Sequence, residues 1–147
     1  MKIQVQDVVS HAGRDYVVEG VVSYATGGES WQLARAVDGE VVVWIEPPHA
    51  EVAERLLVLH EIRDLEMSVP PPAAIAYHDL TYVQRLATRV TIGVEGRVPE
   101  RASGSVMLWR YRAAGDLYLH LEEGAGRVAM LAGETVHPGM IEVLPGH

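Results

Sequence analysis

Apolar residues recur along this chain mostly with a period of two, and glycines separate the apolar runs. The stretch "RDYVVEGVVSYA" (Arg14–Ala25) is rich in Val and Tyr and is bounded by Gly13 and Gly27, which is typical of a long strand. In "DLYLHLE" (Asp116–Glu122), leucines alternate with polar or aromatic residues. Because successive side chains of a strand point to opposite faces, this pattern predicts an all-β fold of antiparallel strands.

Other apolar runs predict further strands. They cover Lys2–Val9, Trp31–Val37, Glu40–Glu46, Arg55–Glu61, Arg89–Val98, Val106–Arg112, Arg127–Leu131 and Met140–Leu144. The segment from Pro47 to Glu61 also fits the start of a helix, because two prolines precede spaced apolar residues. We favour the strand, and both structures stay open for residues 49–62.

The triplet VEG occurs twice, at Val18 and at Val94. From these points, Val18–Pro48 and Val94–Gly124 align without a gap, and seven of the 31 aligned positions are identical. In each copy a glycine next to an aspartate separates two apolar runs, as a tight hairpin with positive φ requires. The predicted turn residues are Gly28, Gly39, Gly104 and Gly115. We interpret the pattern as an internal duplication; the alternative is two unrelated β-meanders that resemble each other.

The length of the chain and its proline-rich centre indicate a single domain, residues 1–147. Two similar halves, about 1–67 and about 80–147, are joined by "SVPPPAAIAYHD" (Ser68–Asp79), whose three consecutive prolines do not fit a central strand. Halves of roughly 70 residues are marginal for independent stability. We therefore predict that two antiparallel β-meander halves form one sandwich or one partly closed barrel.

Charge and cysteine content argue against several classes of function. A net charge of −8, from 20 acidic and 12 basic residues, disfavours nucleic acids and anionic membrane surfaces as partners. The absence of cysteine excludes disulfides, thiol catalysis and cysteine-based metal sites. No apolar run approaches the ~20 residues of a membrane span, and the first residues lack a signal-peptide pattern. These features predict a cytoplasmic protein without membrane insertion.

Polar residues show no catalytic spacing. Seven histidines are scattered along the chain without a local arrangement that would gather the three or four ligands of a metal site. Glu19 and Glu95 occupy matching places in the VEG triplets and are candidates for paired carboxylates, although a position on a strand surface explains them equally well. No nucleophile elbow, P-loop or dinucleotide fingerprint is present. We predict no catalytic residue, no metal and no cofactor, and a site assembled from scattered residues stays open.

The two copies also predict which strand faces are buried. The leucines of the second copy place Val41, Val43 and Ile45 of the first copy in the core. The opposite face is partly apolar and includes Trp44, Glu46, Tyr118 and His120. Because large aromatic residues exposed on a sheet usually mark an interface, we predict a non-catalytic binding or scaffold domain that contacts a protein partner through this face. A homo-oligomer is also compatible with it.

The same four residues support an alternative function. If they line a cavity, the chain is a small-molecule-binding β-barrel, and in that case an enzymatic activity stays open.

The glycines and aromatic residues of the first copy resemble a bacterial family, the domain of unknown function family 4178. The matching positions are Gly13, Tyr16, Val18, Gly20, Gly28, Trp31 and Trp44. The later "VEGRVP" and "AGETVHPGMIEV" resemble the same family, so the resemblance covers most of the chain. These are structural residues, and the resemblance implies no catalytic residue.

Overall fold

The computed structural model describes residues 1–49 and 55–146, and eleven antiparallel strands make up most of this part of the chain. Strand accounts for 66% of the structure and helix for 2%, the latter in one 3₁₀ turn at Pro138–Met140. The all-β prediction is confirmed. The strands are β1 (Val8–His11), β2 (Arg14–Thr26), β3 (Glu29–Asp38), β4 (Val41–Glu46), β5 (Leu56–Glu61), β6 (Ala74–Tyr77), β7 (Leu80–Gly96), β8 (Gly104–Ala113), β9 (Leu117–Gly124), β10 (Arg127–Val136) and β11 (Ile141–Leu144).

Eight of these strands close into a barrel. They follow the order β2-β3-β4-β5-β10-β9-β8-β7, and β7 pairs back onto β2. Strands β1 and β11 extend the sheet outside β2, and β6 does the same outside β7. Closure pairs the backbone of the eight barrel strands with one another. Of the two predicted architectures, the chain therefore adopts the barrel.

The barrel has a packed interior and two packed outer layers. Every barrel strand contributes buried residues to the interior cluster, for example Val22 and Leu33, which lie opposite each other on β2 and β3. The outward face of β2–β5 is covered by Ile3, β1 and β11. The outward face of β7–β10 is covered by Ile62 and β6. Most barrel strands are therefore buried on both faces.

This layering corrects the predicted exposed face. Of the residues predicted in the core, Ile45 is buried and Val43 half-buried, but under the outer layer rather than inside the barrel, and Val41 is exposed. Trp44, Glu46, Tyr118 and His120 point into the barrel and are at most 5% exposed. The prediction that they form an exposed patch is wrong, because closure of the sheet creates a second, inner core that an open sheet lacks.

The two VEG triplets are neighbours in the sheet. Gly20 pairs with Gly96, and Val22 pairs with Val94, in the ladder that closes the barrel between β2 and β7. A Cβ atom on Gly20 would lie 2.4 Å from the carbonyl oxygen of Arg97, a distance that real Cβ atoms do not adopt. Glycine is therefore required where the two strands approach each other closely.

The gapless alignment from Val18 is wrong over β2, because residues 21–26 belong to that strand whereas the aligned residues 97–102 follow the end of β7. It is also wrong over β3, because Trp31 and Leu33 lie in the interior cluster whereas the aligned Met107 and Trp109 lie in the outer layer. Strands β6–β10 nevertheless repeat the order of β1–β5, and both β2 and β7 carry a bulge, at Glu19 and at Arg85. Two residues separate the last paired residues of β2 and β3, whereas eleven separate those of β7 and β8. The 76-residue offset consequently holds only from β4 to β9.

Several strand limits also differ from the prediction. The strand expected at Lys2–Val9 begins only at Val8, and the segment expected to connect the halves contains β6. Both are short outer strands of four residues, which give little periodic signal. Within residues 49–62, β5 (Leu56–Glu61) is a strand, the structure that we favoured over a helix. Residues 50–54 lie outside the described part.

Three of the predicted turn glycines lie in hairpin turns with positive φ, namely Gly28, Gly39 and Gly115. Gly104 instead begins β8, where it pairs with Ile92. Within residues 1–49 and 55–146, no helix has the length and apolar character needed to cross a membrane.

Candidate functional site

An arginine and a glutamate pair in the barrel interior. Arg110 of β8 and Glu46 of β4 are each 1% exposed. The Arg110 Nη1 donates to Glu46 Oε2 at 3.0 Å, and its Nη2 donates to Oε1 at 2.7 Å. Withdrawing both charges from water costs several kcal/mol for each ion, and the bidentate geometry offsets this cost.

Glu46 has a second partner at the end of its strand. Nε2 of His49 lies 2.6 Å from Glu46 Oε2. Burial on its own would raise the pKa of Glu46, but Arg110 and His49 outweigh it and hold the pKa at about 2. Glu46 is therefore a carboxylate over the whole physiological range of pH.

His120 of β9 connects this pair to a second carboxylate. The hairpin between β8 and β9 places His120 opposite Arg110. Nη2 of Arg110 lies 2.9 Å from His120 Nδ1 and must be the donor, because a guanidinium has no acceptor. The ring proton then resides on Nε2, which donates to Glu122 Oε1 at 3.1 Å. Burial lowers the pKa of His120, which agrees with a neutral ring.

Glu122 accepts hydrogen bonds from across the barrel. The hydroxyl of Tyr24 on β2 donates to Glu122 Oε1 at 2.6 Å, and Nη1 of Arg101 lies 2.6 Å from Oε2. Burial raises the pKa of Glu122, yet His120, Arg101 and Tyr24 together hold it at about 2. Burial and the charge of Glu122 raise the pKa of Tyr24 well above its ordinary value, so this hydroxyl keeps its proton.

We call these residues the interior network: Tyr24, Glu46, His49, Arg101, Arg110, His120 and Glu122. Leaving the two histidines aside, the two arginines balance the two glutamates in charge. Full pairing is the condition under which a barrel interior tolerates charges.

Arg101, like His49, comes from a connection between strands. It lies in the long segment between β7 and β8, and its side chain is 11% exposed. Its guanidinium carbon lies 5.4 Å from the centre of the Trp44 ring, and its Nη1 lies 3.5 Å from the Tyr24 hydroxyl oxygen. The connection thus reaches back into one end of the barrel.

A cleft of about 820 Å³ opens beside Arg101. It is lined by side chains of the barrel interior, by residues 99–105 and by β10. The lining includes Trp44, Ile92, Arg101, Val106 and Glu122. At the rim, exposed Arg127 pairs with exposed Glu100 at 3.2 Å. The cleft thus combines apolar walls with a few convergent polar groups.

A second cavity, of about 510 Å³, lies beside Trp31 and His49. The Trp31 ring stacks on Tyr24 and on His49, with ring centres 5.4 and 5.2 Å apart.

The structure brings three of the four predicted binding residues together. Trp44, Glu46 and His120 belong to the network or contact it. Tyr118 also points inward, but it lies beneath Arg112, whose guanidinium carbon is 5.7 Å from the ring centre. Trp44 and Glu46 of β4 correspond in position to His120 and Glu122 of β9.

The candidate carboxylates Glu19 and Glu95 do not form an acid–base pair with each other. Glu19 Oε1 accepts from Arg35 Nη1 at 2.6 Å, and Glu95 is exposed. Among the described residues, no three His, Asp or Glu side chains gather as a metal site requires.

Sequence reasoning did not identify Tyr24, Arg101, Arg110 or Glu122 as site residues. One signal for Arg110 exists: it interrupts the apolar run "VMLWRY", where an unpaired charge would be costly. Arg101 has no such signal, because it lies in a polar connecting segment.

Comparison with known proteins identifies the family. A model of the family described as Domain of unknown function (DUF4178) matches residues 4–138 of the 147. The chain belongs to this family. The resemblance inferred from glycines and aromatic residues is thus confirmed, and the DUF4178 match includes all eight barrel strands and the whole interior network. No curated protein and no solved structure matches the chain.

Proposed function

We propose that this DUF4178 protein is a non-catalytic binding domain that holds a small molecule in the cleft beside Arg101. The observation that carries the proposal is the cleft itself. Its volume of about 820 Å³ lies in the range of roughly 300–1,000 Å³ that ligand sites occupy. Apolar walls at Trp44, Ile92 and Val106, with polar groups at Arg101 and Glu122, match the usual composition of such sites.

The hydrogen bonding of the network favours binding over catalysis. Both ring nitrogens of His120 have protein partners, so the imidazole offers no free nitrogen to a substrate. Each interior carboxylate is engaged by an arginine, and its low pKa makes it a weak base. These groups suit a fixed electrostatic surface better than a proton shuttle.

A pair of tryptophan substitutions tests the binding site. Ala129 lines the cleft and is half-buried, so Ala129→Trp fills the cleft, whereas Ser30→Trp adds the same side chain at an exposed position of β3, beside the second cavity and outside the cleft. A chemically diverse fragment library is screened by thermal shift on the native sequence, and dissociation constants of the hits are then measured for both variants. We expect Ala129→Trp to weaken binding at least tenfold and Ser30→Trp to leave it unchanged. If the hits bound equally well to both variants, their binding site would not be the cleft.

Binding of a protein partner is the second candidate function. The observations that favour it lie at an edge of the sheet rather than on the face that carries Trp44 and Tyr118. β11 and β6 end the order of strands, so each has one side without a strand partner among the described residues. β11 exposes Leu144, and Met140 beside it is 68% exposed. An added strand of another chain, or of a second copy, fits such an edge.

The proposed use of the β11 edge is tested by placing charged residues on this edge. In pull-down and sedimentation measurements, Met140→Glu combined with Leu144→Glu is expected to abolish an association that uses β11. Val41→Glu, an equally apolar exposed site in the β3–β4 hairpin, serves as the control. An association that survives the double substitution would not use this edge.

We also infer that β1–β5 and β6–β10 descend from one duplicated unit. The shared strand order, the matching bulges at Glu19 and Arg85, and the positive-φ glycines Gly39 and Gly115 support this origin. The connection that carries Arg101 is longer than its counterpart between β2 and β3, and it lies where we propose the ligand.

A further inference from the structure

We infer that the groups around Arg101 form a receptor for a small organic cation with a guanidinium-like head, and that Arg101 occupies this receptor in the absence of ligand. The inference rests on the proposed function, since it names the chemical class of the ligand in the same cleft. Three properties of the site carry it: the receptor groups, the charge balance and the attachment of Arg101.

The receptor groups are those that recognise a cation. Glu122 supplies a carboxylate oxygen 2.6 Å from the guanidinium of Arg101, and Tyr24 supplies a hydroxyl oxygen at 3.5 Å. The ring of Trp44 lies 5.4 Å from the guanidinium carbon, within the range of a cation–π contact. A buried carboxylate beside an aromatic face binds planar cations through charge-assisted hydrogen bonds and ring contact.

The charge balance selects a positively charged occupant. Glu46 and Glu122 carry two negative charges, and Arg110 with Arg101 compensates them. If Arg101 withdraws, Glu122 keeps the hydrogen bonds from His120 and Tyr24. One negative charge is then uncompensated in a buried site, which a neutral or anionic ligand cannot correct.

The attachment of Arg101 allows it to leave. Arg110 lies within β8 and cannot move without disturbing the barrel, whereas Arg101 lies in the segment between β7 and β8. That segment is anchored near its start by the Arg97 amide, which donates to the carbonyl of Glu19 at 2.8 Å. Closer to Arg101, its own amide donates to the Val98 carbonyl at 3.3 Å, and Ser103 Oγ accepts from the Val94 amide at 3.0 Å. These contacts fix the backbone and leave the Arg101 side chain free to turn away, and the neighbouring Arg127–Glu100 ion pair is solvent-exposed and contributes little stability.

The test uses ethylguanidinium, which copies the end of the arginine side chain, and its neutral isostere ethylurea. Each is titrated by calorimetry at millimolar concentration into Arg101→Ala and into Arg101→Ala combined with Glu122→Gln. We expect Arg101→Ala to bind ethylguanidinium at least tenfold more tightly than ethylurea, and the double variant to lose this preference. Equal binding of both compounds, or binding of neither, would overturn the inference.

A second measurement uses the intact protein and does not depend on the folding of the variants. Side-chain NMR signals of the Arg101 guanidinium are followed during the ethylguanidinium titration. We expect a saturable shift of these signals, because the ligand displaces the Arg101 guanidinium from the site. Unchanged Arg101 signals would show that this arginine is a permanent part of the site. If a neutral or anionic compound fills the cleft while Arg101 stays on Glu122, this inference fails and the proposed function stands.

Discussion

Arg110 and Glu46 are joined by two parallel hydrogen bonds, of 3.0 and 2.7 Å, although both side chains are almost completely withdrawn from water. The two residues belong to β8 and β4, which are not neighbours in the sheet. The pair therefore spans the barrel interior and depends on closure of the sheet.

Removing one member of this pair is expected to cost more than removing both. Arg110→Met leaves the Glu46 carboxylate buried with His49 alone, and we expect the free energy of unfolding to fall by about 3–5 kcal/mol. Arg110→Met combined with Glu46→Gln removes both charges and is expected to recover a large part of this loss. Urea unfolding followed by circular dichroism measures both values.

Arg112→Met provides the control, because Arg112 lies two residues further along β8 and pairs with exposed Asp116. An exposed pair contributes at most about 1 kcal/mol. If Arg112→Met and Arg110→Met destabilised the fold equally, the special role of the interior pair would be refuted.

Acid is expected to destabilise the barrel through both carboxylates. The pKa values of Glu46 and Glu122 are about 2 in the folded chain, against 4.5 for the free side chain. A carboxylate with a depressed folded pKa stabilises the fold above its unfolded pKa. This stability is lost as the pH falls from 4.5 towards 2. Unfolding free energies measured from pH 7.5 to pH 3 should therefore decline most steeply below pH 4.5.

His120 is expected to lower the free energy of unfolding at a higher pH than the two carboxylates do. Its folded pKa lies below the ordinary 6.5, so the unfolded chain binds the proton first and stability falls once the pH drops below 6.5. One proton contributes at most about 1.4 kcal/mol per pH unit. His120→Gln, which keeps an acceptor for Arg110 and a donor for Glu122, should flatten the profile between pH 6.5 and 4.5. His60→Gln, at an exposed position of β5, is the control; identical profiles for the two variants would contradict the assignment.

Much of the local structure can be predicted from the sequence, and the reason is visible at the hairpins. The hairpin of β8 and β9 is marked by Gly115, which has positive φ, and leucines alternate with polar or aromatic residues along β9. The 76-residue offset between the two copies also correctly relates Glu46 of β4 to Glu122 of β9. Local rules of turn geometry suffice for these features.

The polar interior could not be predicted from the same rules. Alternation of Leu119 and Leu121 with His120 and Glu122 ordinarily indicates one buried and one solvated face. Here the second face is also buried, because residues on β2, β4 and the β7–β8 connection belong to the network of hydrogen bonds and ion pairs that includes its polar side chains. Those partners are distant in sequence, and only closure of the barrel brings them together.

Gly20→Ala is expected to be strongly destabilising, because the added Cβ atom would overlap the backbone of Arg97. Overpacking of this kind typically costs 1–3 kcal/mol. Gly93→Ala is the matched control: Gly93 lies on β7 in the same ladder, and a Cβ atom there meets nothing within 4 Å. Thermal unfolding should show a lower melting temperature for Gly20→Ala and an unchanged or higher one for Gly93→Ala. Equal effects would contradict the close approach of β2 and β7.

The most direct test of the proposed binding site is a backbone NMR map of the intact protein with the fragment hits. We expect the perturbed amide signals to cluster around the cleft, at residues 100–106 and 122–130 together with Trp44. Perturbations confined to the β11 edge or to the cavity beside Trp31, with the cleft signals unchanged at saturation, would contradict it.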